Sequence, residues 1–224
     1  MATTFAAIPT ARAKQLFNWN RLLVLLHGIQ ATIIWWISPT DALVRFEGTY
    51  PVSRIVDGQF VGLDSAKELL ISFPLAYLVA AFFLLSALAH FLVAYPFRKR
   101  YEAWLAREFN PMRWAEYALS STLMIVGIAS LSFITDAGAL IAIAVCNASM
   151  NLFGWSMEEA NIGRKNVQWS HYIFGCIAGI APWIALFTTV GLSLANWPTG
   201  VGPNGRDLEA FKPVLITIYV SLFI

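Results

Sequence analysis

The feature that most constrains this chain is a succession of long apolar runs. The spacing predicts helices at about 20–38, 69–96, 112–134, 138–159, 169–194 and 212–224. Each of the first five approaches or exceeds the ~20 residues with which an α-helix crosses ~30 Å of hydrocarbon. Only 12% of the residues are charged, about half of the roughly 25% usual in a soluble domain. Inside a bilayer the backbone must satisfy its own polar groups, and a helix does so within one segment. The expected class is therefore an all-α membrane protein, with residues 1–224 as a single transmembrane domain. The sixth run begins after Lys212 and reaches Ile224, a rise of only about 18 Å. We therefore expect the sequence to stop within helix six.

Other classes are disfavoured on composition. A net charge of +2 without a basic, aromatic-interleaved surface argues against a nucleic-acid partner. Cys146 and Cys176 lie inside apolar runs, where free cysteine behaves as a small buried hydrophobe. The N-terminal "MATTFAAIPTARAKQLFNWNR" has no small-residue cleavage site after a short apolar core, so the first helix is expected in the mature protein. No Gly-rich phosphate loop, Ser/His/Asp constellation or zincin motif is evident, and nothing argues for an enzyme.

Orientation follows from the basic residues in the connections, because the cytoplasmic side keeps the excess. Arg12, Lys14, Arg21, Arg98, Lys99, Arg100, Arg107, Arg113, Arg164 and Lys165 fall on the side of the N-terminus. Arg45, Arg54, Lys67, Arg206 and Lys212 fall on the other. Ten against five predicts a multi-pass protein of the cell membrane with a cytoplasmic N-terminus. In the long outer connection, "GTYPVSRIVDGQFVGLD" is compatible with a small β-hairpin turning at "DG" and equally with an irregular loop. Between helices two and three, "RKRYEAWLAREFNPMRW" suits a short amphipathic helix at the inner surface.

Ionisable residues within spans are expensive and mark function by default. The candidates are His27 in "VLLHGIQ", His90 in "LSALAHFLVAY" and Glu116 in "EYALSSTLM". With the N-terminus inside, all three fall within about two or three turns of the cytoplasmic ends of their helices, taking ~5.4 Å per turn. They share a depth and can form a polar cluster there. For Glu116 two readings stay open. One is an interfacial ion pair with Arg113 three residues earlier; the other is a ligand-facing acid on the face that continues through Ser120 and Met124. For each histidine the competing reading is a buried ring bonded to a neighbour. Two histidines and a glutamate on three separate helices lack the spacing of a metal site. Asn147, Ser149 and Asn151 within helix four suit interhelical hydrogen bonds, and Gly175 with Gly179 lets a helix or a flat ligand approach closely. Pro182 and Trp183 place a kink beside a large aromatic.

The motifs "WAEYALSSTLMIV", "CNASMNLFGW" and "FGCIAGIAPWIAL", with His27, "ALAHF" and "GTY", resemble those of the heliorhodopsins. The resemblance covers essentially the whole chain. It implies a seven-transmembrane-helix, rhodopsin-like bundle, of which this sequence covers helices one to five and part of six. It implies all-trans retinal held as a protonated Schiff base, Glu116 as its counterion, and His27, His90 and Ser120 in a polar, proton-accepting cavity. It further implies that Met124, Asn147, Met150 and Trp183 line the chromophore, that the protein is a homodimer, and that it signals to an unidentified partner rather than pumping ions. None of Lys14, Lys67, Lys99, Lys165 and Lys212 lies within an expected span, so the attachment lysine is expected beyond Ile224. The residues alone also admit a proton-coupled transporter or channel, or a light-driven pump, using Glu116, His27 and His90. A pump needs a polar path to the outer surface, where helix three offers only Ser130, Ser132 and Thr135.

Overall fold

The structure is a computed structural model that describes residues 6–200 and 208–223. The elements run α1 (Thr10–Ile37), β1 (Leu43–Val56), β2 (Gln59–Pro74), α2 (Leu75–Ala94), α3 (Arg98–Leu105), α4 (Pro111–Leu131), α5 (Ala137–Asn161), α6 (Ser170–Ala195) and α7 (Leu208–Phe223). Two compact units emerge, Met1–Trp183 and Ile184–Ile224. The first holds α1 to α5 and the start of α6; the second holds the rest of α6 and α7. Helices α1, α2, α4, α5 and α6 are long and apolar enough to cross a membrane.

Local chemistry sets most boundaries. Helix α1 begins ten residues before the expected position because Ala11, Ala13, Lys14, Gln15 and Leu16 are strong helix formers following Pro9. Helix α4 opens with Pro111 at its first position and Asn110 as its cap, the Asn110 side chain accepting the Arg113 N–H at 3.2 Å. It stops at Leu131, before Phe133 enters the left-handed region at φ 64°. Helix α5 is capped by Asp136, which accepts the Ala139 N–H at 2.9 Å. The segment "RKRYEAWL" forms the short helix α3.

The expected helix 69–96 differs at its start. Residues 69–74 belong to β2, with Leu69 opposite Glu47, Ile71 opposite Phe46 and Phe73 opposite Val44. A short apolar run cannot be assigned to helix or strand by periodicity alone. Here the pairing with β1 supplies its backbone bonds, and α2 starts only after Pro74, whose φ of −59° suits a helix entry. Strands β1 and β2 form a two-stranded antiparallel sheet. Asp57 and Gly58 between them both have positive φ, 51° and 77°, as a tight primed turn demands.

Within the first unit, α1 packs on α2, α2 on α4 and α4 on α5. The contacts use small residues: Ala31, Ala76, Ala80, Ala94 and Ala129 are buried, and a Cβ on Gly127 would stand 3.3 Å from Leu78. In lipid, where apolar burial gains nothing, close backbone approach of this kind holds helices together. Many large apolar residues turn outward, Trp36 at 83% exposure among them, while Leu78, Ile125, Leu140 and Ile143 fill the contacts.

The sheet is tied to the α4–α5 connection. The Glu47 N–H donates to the Thr135 carbonyl at 2.8 Å, and the Thr135 hydroxyl returns to Glu47 Oε2 at 2.7 Å. The Thr49 hydroxyl donates to Asp136 Oδ2 at 2.9 Å. Glu47 also pairs with Arg45 at 3.3 Å and Lys67 at 3.6 Å. The Thr135 hydroxyl, with help from Arg45 and Lys67, holds the Glu47 carboxyl below its ordinary pKa. The Ala139 N–H and the Thr49 hydroxyl do the same for Asp136.

Candidate functional site

Three helices supply the polar residues in register. Helix α1 carries Asn20 and His27 two turns apart, α2 carries Ser86 and His90 one turn apart, and α4 carries Glu116 and Ser120 one turn apart. The faces converge. The His27 and His90 rings stack with centroids 5.6 Å apart and planes 13° from parallel. His27 also stacks on Phe83 at 6.0 Å. The Ser86 hydroxyl donates to Glu116 Oε1 at 2.7 Å. Ser120 is buried on the next turn of α4.

The hydrogen bonds orient the histidines. Asn20 Nδ2 donates to the Leu16 carbonyl at 2.8 Å, so its Oδ1 is the atom that meets His90 Nδ1 at 2.7 Å. An amide oxygen only accepts, so His90 Nδ1 carries a proton and Nε2 is left to accept or bind a second one. His27 Nδ1 meets Gln30 Oε1 at 2.9 Å in the same manner.

Glu116 borders two clefts. One, of about 190 Å³, is walled by Asn20, His90, Tyr101, Asn110, Arg113 and Glu116. Burial raises the pKa of the Tyr101 phenol in its wall, and Asn20 and Arg113 act in the opposite sense. The other, of about 140 Å³, is apolar, with Leu85, Leu88, Leu92, Met112 and Leu119 around the same carboxylate.

Arg113 does not pair with Glu116. Its Nη2 binds Glu158 Oε1 on α5, and its Cζ lies 4.7 Å from the centroid of the Trp114 ring. Among the described residues Glu116 has a hydroxyl partner in Ser86 and no ion-pair partner.

The expected pocket residues are spread over α4, α5 and α6. Asn147 is buried and spends its amide on α4, donating to the Ser121 hydroxyl at 2.8 Å and to Thr122 at 3.0 Å. Asn151 adds a bond to Ser121 at 3.1 Å. The Met150 side chain occupies the space where a Cβ on Gly179 of α6 would stand, and Phe153 crowds Gly175 at 3.2 Å. The two glycines therefore bring α5 and α6 together. Trp183 follows Gly179 one turn later, half-buried, while Met124 is exposed on α4. Lys67 is on β2 and Lys99 on α3, and Lys14 is exposed in the first turns of α1, so none of these three faces Glu116 from within a span. Among the described residues no three His, Cys, Asp or Glu side chains form a metal-ligating group.

Ser86, Asn20, Gln30 and Glu158 are absent from the sequence-derived set. Three of them carried a signal. Ser86 stands four residues before His90, Asn20 seven before His27, and Gln30 three after it, all helical spacings. Glu158 carried none, lying 45 residues from Arg113.

The family model for heliorhodopsin matches residues 16–201 of the chain. No curated protein matches it.

Proposed function

Because this chain belongs to the heliorhodopsin family, and so is a retinal-binding, light-sensing membrane protein, we propose that Glu116 is the counterion of its chromophore. The observation that carries this is a carboxylate within a span that has the Ser86 hydroxyl and no cation among the described residues. A bare carboxylate at such a depth is costly, and a cation beside it removes most of that cost.

The chemistry of the residues fits the family's cofactor. Glu116 stands where a polar cleft meets an apolar one, the environment that a cationic nitrogen on an apolar polyene requires. Glu116, with Met124, Asn147, Met150 and Trp183, would hold the group. Bound as a Schiff base, all-trans retinal supplies a protonated nitrogen and a light-driven change of shape. The chain's own residues do the rest. Ser86 fixes the Glu116 carboxylate by one oxygen and leaves the other available. Two unit charges ~4 Å apart interact by about 4 kcal/mol at an effective dielectric near 20, so modest movements at Glu116 alter where a proton rests. His90, with Nδ1–H committed to Asn20, offers Nε2 as a proton acceptor on the inner side, and His27 shares the charge through its stacked ring.

A signalling role is favoured over pumping. Outward of Glu116, α4 presents buried Ile125, Val126, Ile128 and Ala129. Ser130 and Ser132 turn their hydroxyls back to the Val126 and Ile128 carbonyls at 3.0 and 2.7 Å, which supports a closed outer half. We place the N-terminus in the cytoplasm on the bias of basic residues, in one transmembrane domain of the cell membrane. Exposed Ile55, Phe60 and Leu63 on the sheet support a homodimer, and a signalling role requires a partner that the sequence does not name.

The test is the visible spectrum after retinal is added to the expressed full-length protein. Glu116→Gln is expected to shift the absorption band to the red. An unshifted band would remove Glu116 from the counterion role, and absence of colour in the wild type would remove the chromophore reading.

A further inference from the structure

Arg113 stands three residues before Glu116 on α4 and lines the same polar cleft. Side chains at that spacing meet on a helix surface, so the absence of an Arg113–Glu116 pair needs a physical cause. Helix α5 supplies it. Glu158 Oε1 takes Arg113 Nη2, while Glu158 Oε2 accepts the Asn110 N–H at 2.9 Å. Asn110 in turn caps α4 by accepting the Arg113 N–H. One carboxylate thereby holds both the guanidinium and the residue that starts the helix.

The aromatic beside it is seated by the same face of α5. The Trp114 ring occupies the space that a Cβ on Gly154 would fill, one turn before Glu158, and the guanidinium lies over that ring at 4.7 Å. A glycine for the ring and an acid for the charge draw Arg113 toward α5 and away from its neighbour on α4.

Resting on the assignment of Glu116 as counterion, we propose that Glu158 is a positioning residue that withholds Arg113 from Glu116. A guanidinium at Glu116 would offset the negative charge that faces the chromophore, because opposite charges a few ångströms apart in a low-dielectric site couple strongly. Glu158 thus sets the strength of the counterion from the neighbouring helix, without touching it.

Two readouts test this. In the retinal-free protein, isotope-edited infrared spectroscopy follows the carboxylate stretch of Glu116. Glu158→Gln keeps an acceptor for the Asn110 N–H but loses the charge, and is expected to move that band as Arg113 turns to Glu116. In the pigment the same variant is expected to shift absorption to the red, by less than Glu116→Gln does. Both changes should be reversed in the double variant Glu158→Gln/Arg113→Gln. A Glu116 band that does not respond to Glu158→Gln, or a response that persists in the double variant, overturns the proposal. Arg113→Gln alone is expected to leave the Glu116 band in place; a shift there also overturns it, and this variant decides the matter if Glu158→Gln fails to fold. If instead Glu116→Gln leaves the pigment unshifted while the infrared response is seen, the counterion assignment fails and the withholding of Arg113 stands.

Discussion

The acids at the two ends of the first unit are held in opposite ways. At the sheet end, Glu47 has the Thr135 hydroxyl, Arg45 and Lys67 around its carboxylate, and Asp136 has the Ala139 N–H and the Thr49 hydroxyl. Both are committed to architecture, joining the sheet to α5. At the other end Glu116 holds one hydroxyl, and the nearest arginine in sequence is drawn off by Glu158. The contrast separates two uses of a carboxylate. One saturated by short-range partners stabilises the fold, whereas one left with spare capacity in a costly place has a charge still to meet.

The sharpest way to break this contrast is to remove one acid from each end. Asp136→Ala removes a helix cap and should cost about 1 kcal/mol, lowering the thermal midpoint while leaving the absorption band in place. Glu116→Gln should do the reverse, moving the band with little change in the midpoint of the retinal-free protein. If both variants changed both readouts, the separation would fail.

Acid should act on the sheet end in the same direction. The folded-state pKa values of Glu47 and Asp136 are lowered. Their stabilisation is therefore fully present above the ordinary carboxylate range and is lost as pH falls from that range through the depressed values. Thermal midpoints of the wild type should drop across that window. The drop should be smaller in Asp136→Asn, which has one of the two groups removed. A drop of equal size in both proteins would assign the acid sensitivity elsewhere.

The smallest effect is expected at Ser86. Its hydroxyl stabilises the charge on Glu116 at 2.7 Å, so Ser86→Ala leaves a stronger counterion. The band should move slightly to the blue, opposite to Glu116→Gln. A red shift would mean that Ser86 acts on the chromophore by another route.

Much of this was legible in the sequence, and the limit of legibility is a matter of chain distance. Five helices long enough to cross a membrane follow from apolar length. The sequence leaves Asp57-Gly58 open between a hairpin turn and an irregular loop, and it is the structure that pairs the flanking strands and gives both residues positive φ. The shared depth of His27, His90 and Glu116 follows from residue counting along helices, and the rings of the first two do stack. Strand residues 69–74 were not legible, because an apolar hexapeptide has the same composition in a strand as in a helix and only its pairing with 43–47 decides between them.

Sequence alone determined what lies within a turn or two of itself: which segments are long and apolar enough to cross a membrane, and which polar residues share a helix face. Tertiary structure alone decided who meets whom across helices. It gave Glu116 to Ser86 over 30 residues, His90 to Asn20 over 70, and Arg113 to Glu158 over 45. The local rule offered Arg113 to Glu116, and packing overruled it. A charge at helical spacing is only one candidate partner, and the neighbour with better geometry and a seat for the aromatic beside it wins.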